Sequence, residues 1–131
     1  MTEGDLDILH RVLETRGRFS HREHLELAWN YLRIYDADQA FEAVAAGIRQ
    51  VAAMHGASDK YHETITRTWV HLVALHMASG EAESFDAFIA ANPGLLERDL
   101  LSRHYSQKLI SSREARFGWV RPDLRELPSV A

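Results

Sequence analysis

The chain has 131 residues, of which 46% are hydrophobic and 26% are charged, and its formal net charge is -4. This composition is typical of a single soluble domain, here 1–131, with one core. The acidic balance disfavours a general nucleic-acid binder, and no apolar run approaches the roughly 20 residues of a membrane span. The absence of cysteine excludes disulfides and sulfur-ligated metals. The acidic N-terminus does not resemble a signal peptide, so we expect a cytoplasmic protein that binds neither nucleic acid nor membrane.

The first two predicted helices are marked by apolar spacing and by their end signals. Leucines three to four residues apart predict a helix over 5–16, which Gly17 should end. Ser20 and Glu23 then have the spacing of a capping box, in which each end of the motif satisfies a free backbone N–H of the other. A second helix is therefore predicted to begin at about His21.

The next two predicted helices follow the same logic. Asp36 and Gln39 form another capping signal, and the helix after them should run to about His55, where Gly56 stops it. Ser58 or Asp59 is then predicted to cap a helix over about 60–79. The remaining helical segments are short and cover 81–91, 95–105 and the first turn of the tail, which becomes extended around Pro122 and Pro128.

No segment alternates between apolar and polar residues long enough to be a strand. The prediction is an all-α fold, an up-and-down bundle of four to five main helices. An irregular C-terminal segment, 106–131, should dock on the bundle, with 113–126 near the end that carries the histidines. The short connections require consecutive helices to run antiparallel.

This topology predicts a cluster of histidines at one end of the bundle. The helices that begin near His21 and near residue 60 should start at the same end, which brings together His21, His24, His55 and His62, with Glu63 beside them. His21 and His24 are three residues apart and share a helix face. A helix N-terminus also favours neutral imidazole, the form that binds metals and accepts protons.

The leading prediction is a divalent transition metal, Zn, Fe, Mn, Ni or Cu, held by His21, His24, His62 and Glu63. Glu63 could also act as a general base, with Tyr61 as a second catalytic group, and Thr66 and Arg116 are candidates for binding the substrate. The sequence thus predicts a small metal-binding protein that could be a metal-dependent enzyme acting on a small molecule. It does not say whether a reaction occurs.

Three other interpretations stay open from the sequence. The histidines could be unlinked structural residues. The site could be a metal-free pocket that binds a small anionic ligand through the C-terminal arginines Arg116 or Arg121. The chain could also be a non-catalytic interaction module, for example a homodimer formed through an exposed aromatic face.

Three sequence blocks, "FSHREHLELAW", "KYHETIT" and "ARFGWVRPDLRELP", resemble a group of small all-helical proteins of unassigned function, many of them from actinobacteria. The resemblance covers roughly residues 19–128. It implies a site at the following residues of this chain: His21, His24, Tyr61, His62, Glu63, Thr64, Thr66, Arg116, Pro122 and Asp123. It implies no particular reaction.

Overall fold

The computed structural model describes residues 2–16 and 20–129, without the side chains of residues 14–16. Four long helices form the bundle: α1 (Glu3–Arg16), α2 (His21–Leu32), α3 (Ala37–Met54) and α4 (Glu63–Met77). The shorter elements are α5 (Phe85–Ala91), α6 (Gln107–Ile110), α7 (Arg113–Phe117) and 3₁₀ helices at Ser58–Lys60, Pro93–Leu96 and Arg98–Arg103. No strand occurs in the described ranges, and the all-α prediction is confirmed.

The predicted starts of α2 and α3 are confirmed. The Glu23 carboxylate accepts the backbone N–H of Ser20 at 2.8 Å and also its hydroxyl, which holds the first turn of α2. The Asp36 carboxylate accepts the N–H of Gln39 at 2.8 Å at the start of α3. These bonds satisfy donors that a helix N-terminus otherwise leaves free. The predicted stop at Gly17 lies outside the described residues.

The predicted cap of α4 at Ser58 or Asp59 was wrong. Those residues form a separate 3₁₀ turn, Tyr61 is extended, and α4 begins after His62. The imidazole of His62 takes the role of the cap, because its Nδ1 accepts the N–H of Ile65 at 3.1 Å. The short helical segment predicted at 95–105 is helical over most of its length, as 3₁₀ helix.

The core lies where α1, α2, α3 and α4 pack against one another. Its largest fully enclosed side chains are Tyr31, Tyr105, Phe88, Leu9, Leu25, Leu27 and Leu72. Gly47 lets α3 approach the leucines closely, because a Cβ at this position would lie 3.2 Å from Cδ2 of Leu27. The α4 helix contacts α2 and α3 on one side and α7 on another, so it lies between the bundle and the C-terminal segment.

The C-terminal segment is bonded to α4 through its backbone, which contacts the side chain of Thr64. The Thr64 hydroxyl donates to the carbonyl of Gly118 at 2.7 Å and accepts the N–H of Val120 at 3.2 Å. Within the segment, the Asp123 carboxylate accepts the backbone N–H of Ser106 at 2.8 Å and its hydroxyl at 2.6 Å. The tail therefore has a defined path although it has almost no secondary structure after Phe117.

Candidate functional site

His62 joins the start of α4 to the C-terminal half of the chain. Because its Nδ1 accepts the N–H of Ile65, the ring proton of the neutral form is on Nε2. That Nε2 donates to the carbonyl oxygen of Ile110 at 2.7 Å. Both ring nitrogens are thus occupied by backbone groups, and His62 could bind an ion only after breaking one of these bonds.

The hydroxyl groups that follow His62 point in different directions. Thr66 donates to the carbonyl of His62 at 2.8 Å within its own helix, and its side chain is buried. Thr68 bonds to the carbonyl of Thr64 in the same way, at 2.7 Å. The candidate substrate residue Thr66 therefore uses its hydroxyl in the helix. Thr64, which also follows His62, is instead the residue that contacts the tail.

Tyr61, Glu63 and Arg116 line one pocket of about 320 Å³, here called the tyrosine pocket, together with Arg49. The Tyr61 hydroxyl donates to Glu63 at 2.8 Å, and the Arg49 guanidinium lies 4.4 Å from the centre of the Tyr61 ring. Burial and the bond to Glu63 raise the pKa of Tyr61, so the phenol stays protonated as a donor. The two candidate catalytic residues and one candidate substrate residue are therefore neighbours.

His21 and His24 line a different pocket of about 450 Å³, here called the histidine pocket. Its polar members also include Ser20, Ser102, Tyr105, Gln107 and Arg98, and its apolar walls are Ile65, Trp69, Leu101 and Ile110. The His21 Nε2 donates to the carbonyl of Leu95 at 2.9 Å, and its ring packs edge-on against Trp69 with centroids 4.4 Å apart. Sequence reasoning did not find Arg98, because it lies in a segment without a motif.

Both histidines of this pocket are held in the neutral form. Burial, together with the nearby His21 and Arg98, lowers the pKa of His24 to about 4, and Glu23 acts in the opposite direction. Burial also lowers the pKa of His21, with Arg98 acting in the same direction and the bond to Leu95 against it. A group with a strongly shifted pKa that lines a cavity is a candidate for function.

The residues predicted as one metal site are thus divided between two pockets. His21 and His24 share the histidine pocket, and Glu63 lines the tyrosine pocket. His62 lies at the start of α4 and bonds to Ile110, a wall of the histidine pocket. In the described part of the chain, no three His, Asp or Glu residues are grouped as a metal-ligand set. The predicted Zn, Fe, Mn, Ni or Cu ion stays a prediction.

No protein-family model, no curated protein and no solved structure matches the chain. The resemblance of its three sequence blocks to a family of unassigned function therefore stays a prediction. Among residues 2–16 and 20–129, no helix has both the length and the apolar character that crossing a bilayer requires.

Proposed function

We propose that this protein binds a small polar anion, such as a hydroxycarboxylate or a phosphate monoester, in the histidine pocket. The observation that carries the proposal is the charge of the lining. Arg98 is the charged side chain that lines it, while His21 and His24 are neutral near pH 7, and no Asp or Glu is among the described lining residues. The Glu23 carboxylate, which acts on His24, is buried and accepts the N–H and the hydroxyl of Ser20. A guanidinium offers paired N–H donors that match carboxylate and phosphate oxygens.

The size and lining of the pocket support a small molecule rather than a macromolecule. Its volume of about 450 Å³ falls in the usual range for ligand sites, which is about 300–1,000 Å³. Ser102 and Gln107 donate to Asp99 and Ser111 within the chain, and their side-chain oxygens can still accept hydrogen bonds from a ligand's hydroxyl groups. Trp69 and Ile110 provide an apolar surface. Such a mixed wall suits a compact anion that also carries hydroxyl groups.

The same charge distribution favours an anion over a metal ion. Arg98 already lowers the pKa of both histidines, which means that a further positive charge at this place is disfavoured. A bound anion would offset Arg98 and raise both histidine pKa values. Binding should therefore take up protons and become tighter as pH falls from 7 towards 5.

The test is an NMR titration with lactate and with inorganic phosphate. The variants are Arg98→Gln and, as a matched control, Arg103→Gln. Both arginines belong to the same 3₁₀ helix, but Arg103 makes a weak pair with Glu97 at 3.5 Å and does not line the pocket. We expect Arg98→Gln to weaken binding by about tenfold, as the loss of a charge-assisted hydrogen bond predicts, and Arg103→Gln to leave it unchanged.

Equal loss in both variants, or chemical-shift changes away from Trp69 and Gln107, would contradict the proposal. Metal analysis of untagged protein belongs to the same experiment. A stoichiometric divalent ion that His21→Ala or His24→Ala removes would favour the metal site predicted from the sequence instead.

A further inference from the structure

A larger cavity, of about 640 Å³, lies on another side of α4 beneath the C-terminal segment. The start of α3 and the middle of α4 form its floor, and residues 119–127 form its other side. It shares no lining residue with the histidine pocket or with the tyrosine pocket. We call it the tail cavity, and its lining includes Arg121 and Pro122, which the sequence analysis named as candidates for the other site.

The walls of the tail cavity are largely apolar. Phe41, Val70 and Ala74 contribute from the helices, and Trp119 and Leu127 contribute from the tail. Trp119 is 42% exposed, so a large aromatic side chain at the cavity remains accessible to a ligand. A wall of aromatic and branched side chains fits the apolar body of a small molecule.

Arg67 is the charged side chain that would favour a ligand with a carboxylate over an uncharged apolar ligand. Its guanidinium lies over the ring of Phe41, 4.2 Å from the centroid, and its Nε is buried without a hydrogen-bond partner. No carboxylate within the described ranges forms an ion pair with it, although Asp38 and Glu126 also line the cavity. The guanidinium of Arg67 at the cavity wall is thus a charged donor that can pair with the carboxylate of a ligand.

The tail covers the cavity because it is bonded to α4 on either side of Arg67. Thr64 bonds to Gly118 and Val120 near the start of the helix. One turn beyond Arg67, the Nε2 of His71 lies 2.7 Å from the carbonyl oxygen of Pro128. These bonds fix the outer wall of the cavity, so little ordering free energy is needed when a ligand binds.

We propose that the tail cavity binds a small aromatic or branched aliphatic carboxylate. The carboxylate bonds to Arg67, and the apolar body lies between Phe41 and Trp119. This site is separate from the anion site in the histidine pocket and prefers a different chemistry, apolar rather than hydroxyl-bearing. Arg121, whose side chain is 83% exposed, lies at the edge and pairs only weakly with Glu126 at 3.5 Å.

The first experiment uses the wild-type protein and two probes of similar shape. Phenylacetate carries the carboxylate, and 2-phenylethanol replaces it with an uncharged hydroxyl. We expect calorimetry to give phenylacetate an affinity about 10- to 100-fold higher than that of 2-phenylethanol. NMR should show the largest shift changes at the Trp119 indole and at α4 residues 67–74.

The second experiment compares arginine variants. Arg67→Met keeps the aliphatic stem and should lose the preference for phenylacetate, whereas Arg67→Lys keeps a positive charge and should retain part of it. Arg33→Met is the matched control, because Arg33 also stacks on a buried aromatic ring, that of Trp29 at 4.6 Å, but lies outside the cavity. It should bind phenylacetate like the wild type.

Equal binding of the two probes to the wild type would overturn the proposal even if Arg67→Met failed to fold. So would a complete absence of binding by either probe at millimolar concentration. Binding that Arg33→Met weakens as much as Arg67→Met would also overturn it. Concentration-dependent self-association that buries Trp119 would identify the face as an interface between copies of the chain instead.

Discussion

At the scale of single residues, His62 illustrates how one side chain can serve two parts of a fold. A cap normally comes from Ser, Thr, Asp or Asn, because their short side chains reach the backbone N–H groups of the first turn. The imidazole of His62 does this with Nδ1 and still has Nε2 to donate to Ile110, 48 residues away. A histidine at the start of a helix thus need not be a metal ligand.

His62→Ala should lower the free energy of unfolding by about 2 kcal/mol, since a cap contributes about 1 kcal/mol and a further hydrogen bond about as much. His62→Asn should recover roughly half of this loss, because asparagine caps a helix but is too short to replace the bond to Ile110. Urea denaturation measures both. An unchanged midpoint for His62→Ala would refute the role of His62 as a cap and clamp.

His24 links stability to pH. Its pKa of about 4 in the folded chain lies below the ordinary value of 6.5, so the unfolded chain binds a proton first as pH falls. Stability is therefore fully present above pH 6.5 and is lost as pH falls towards 4, by about 1.4 kcal/mol per pH unit. His24→Gln should reduce this slope, and His21 should account for part of what remains, because its pKa is lowered too.

The measurement for His24 is the urea midpoint at several pH values between 4 and 6.5. His10→Gln is the control, since His10 is exposed on α1 and should leave the slope as it is in the wild type. A slope for His24→Gln that matches the wild type would show that the imidazole is not held neutral by the fold.

At the scale of helices, the sequence predicted the start of a helix correctly where the capping bond is local. It failed where the cap also depends on a distant residue. The Ser20 and Asp36 caps need only residues three positions away, and both were confirmed. The cap of α4 is an imidazole, a type that short capping motifs do not include. Its orientation also depends on the bond to Ile110, which no local pattern reveals.

The candidate site was only partly predictable for a related reason. Successive residues of a helix point about 100° apart, so the residues at the start of α4 face different sides of it. Sequence reasoning placed Tyr61, Glu63 and Arg116 close to His21 and His24, and the chain places the two sets in different pockets. Arg67 and Arg98 belong to no motif and could be found only from the cavities that they line.

The end of α3 provides a test at this scale. Gly56 has φ of 65°, a left-handed conformation that disfavours any side chain with a Cβ. Gly56→Ala should therefore lower the free energy of unfolding by about 1 kcal/mol, although a Cβ there would meet no atom within 4 Å. Gly80→Ala is the control, because Gly80 is equally open but does not have a positive φ. Equal midpoints for the two variants in urea would contradict the conformational argument.

At the scale of the whole molecule, α4 is the element that all three pockets share. Glu63 faces the tyrosine pocket, Ile65 and Trp69 face the histidine pocket, and Arg67 and Val70 face the tail cavity. The C-terminal segment contributes Arg116 to the tyrosine pocket, Gln107 and Ile110 to the histidine pocket, and Trp119 to the tail cavity. All three named pockets therefore depend on how firmly this segment lies on the bundle.

The threonines of α4 test that dependence, because valine has nearly the same shape as threonine but no hydroxyl. Thr64→Val removes the bonds to Gly118 and Val120 and leaves a carbonyl and an N–H without their partner, which should cost about 1–3 kcal/mol. Thr66→Val is the matched control, since the Thr66 hydroxyl donates to the carbonyl of His62 and has Tyr61, not the tail, as its other neighbour. Hydrogen exchange should accelerate at Val120 and at the tail amides around it in Thr64→Val alone. Equal exchange in both variants would show that the tail is held by its apolar contacts rather than by Thr64, and both proposed ligand sites could then be tested without regard to it.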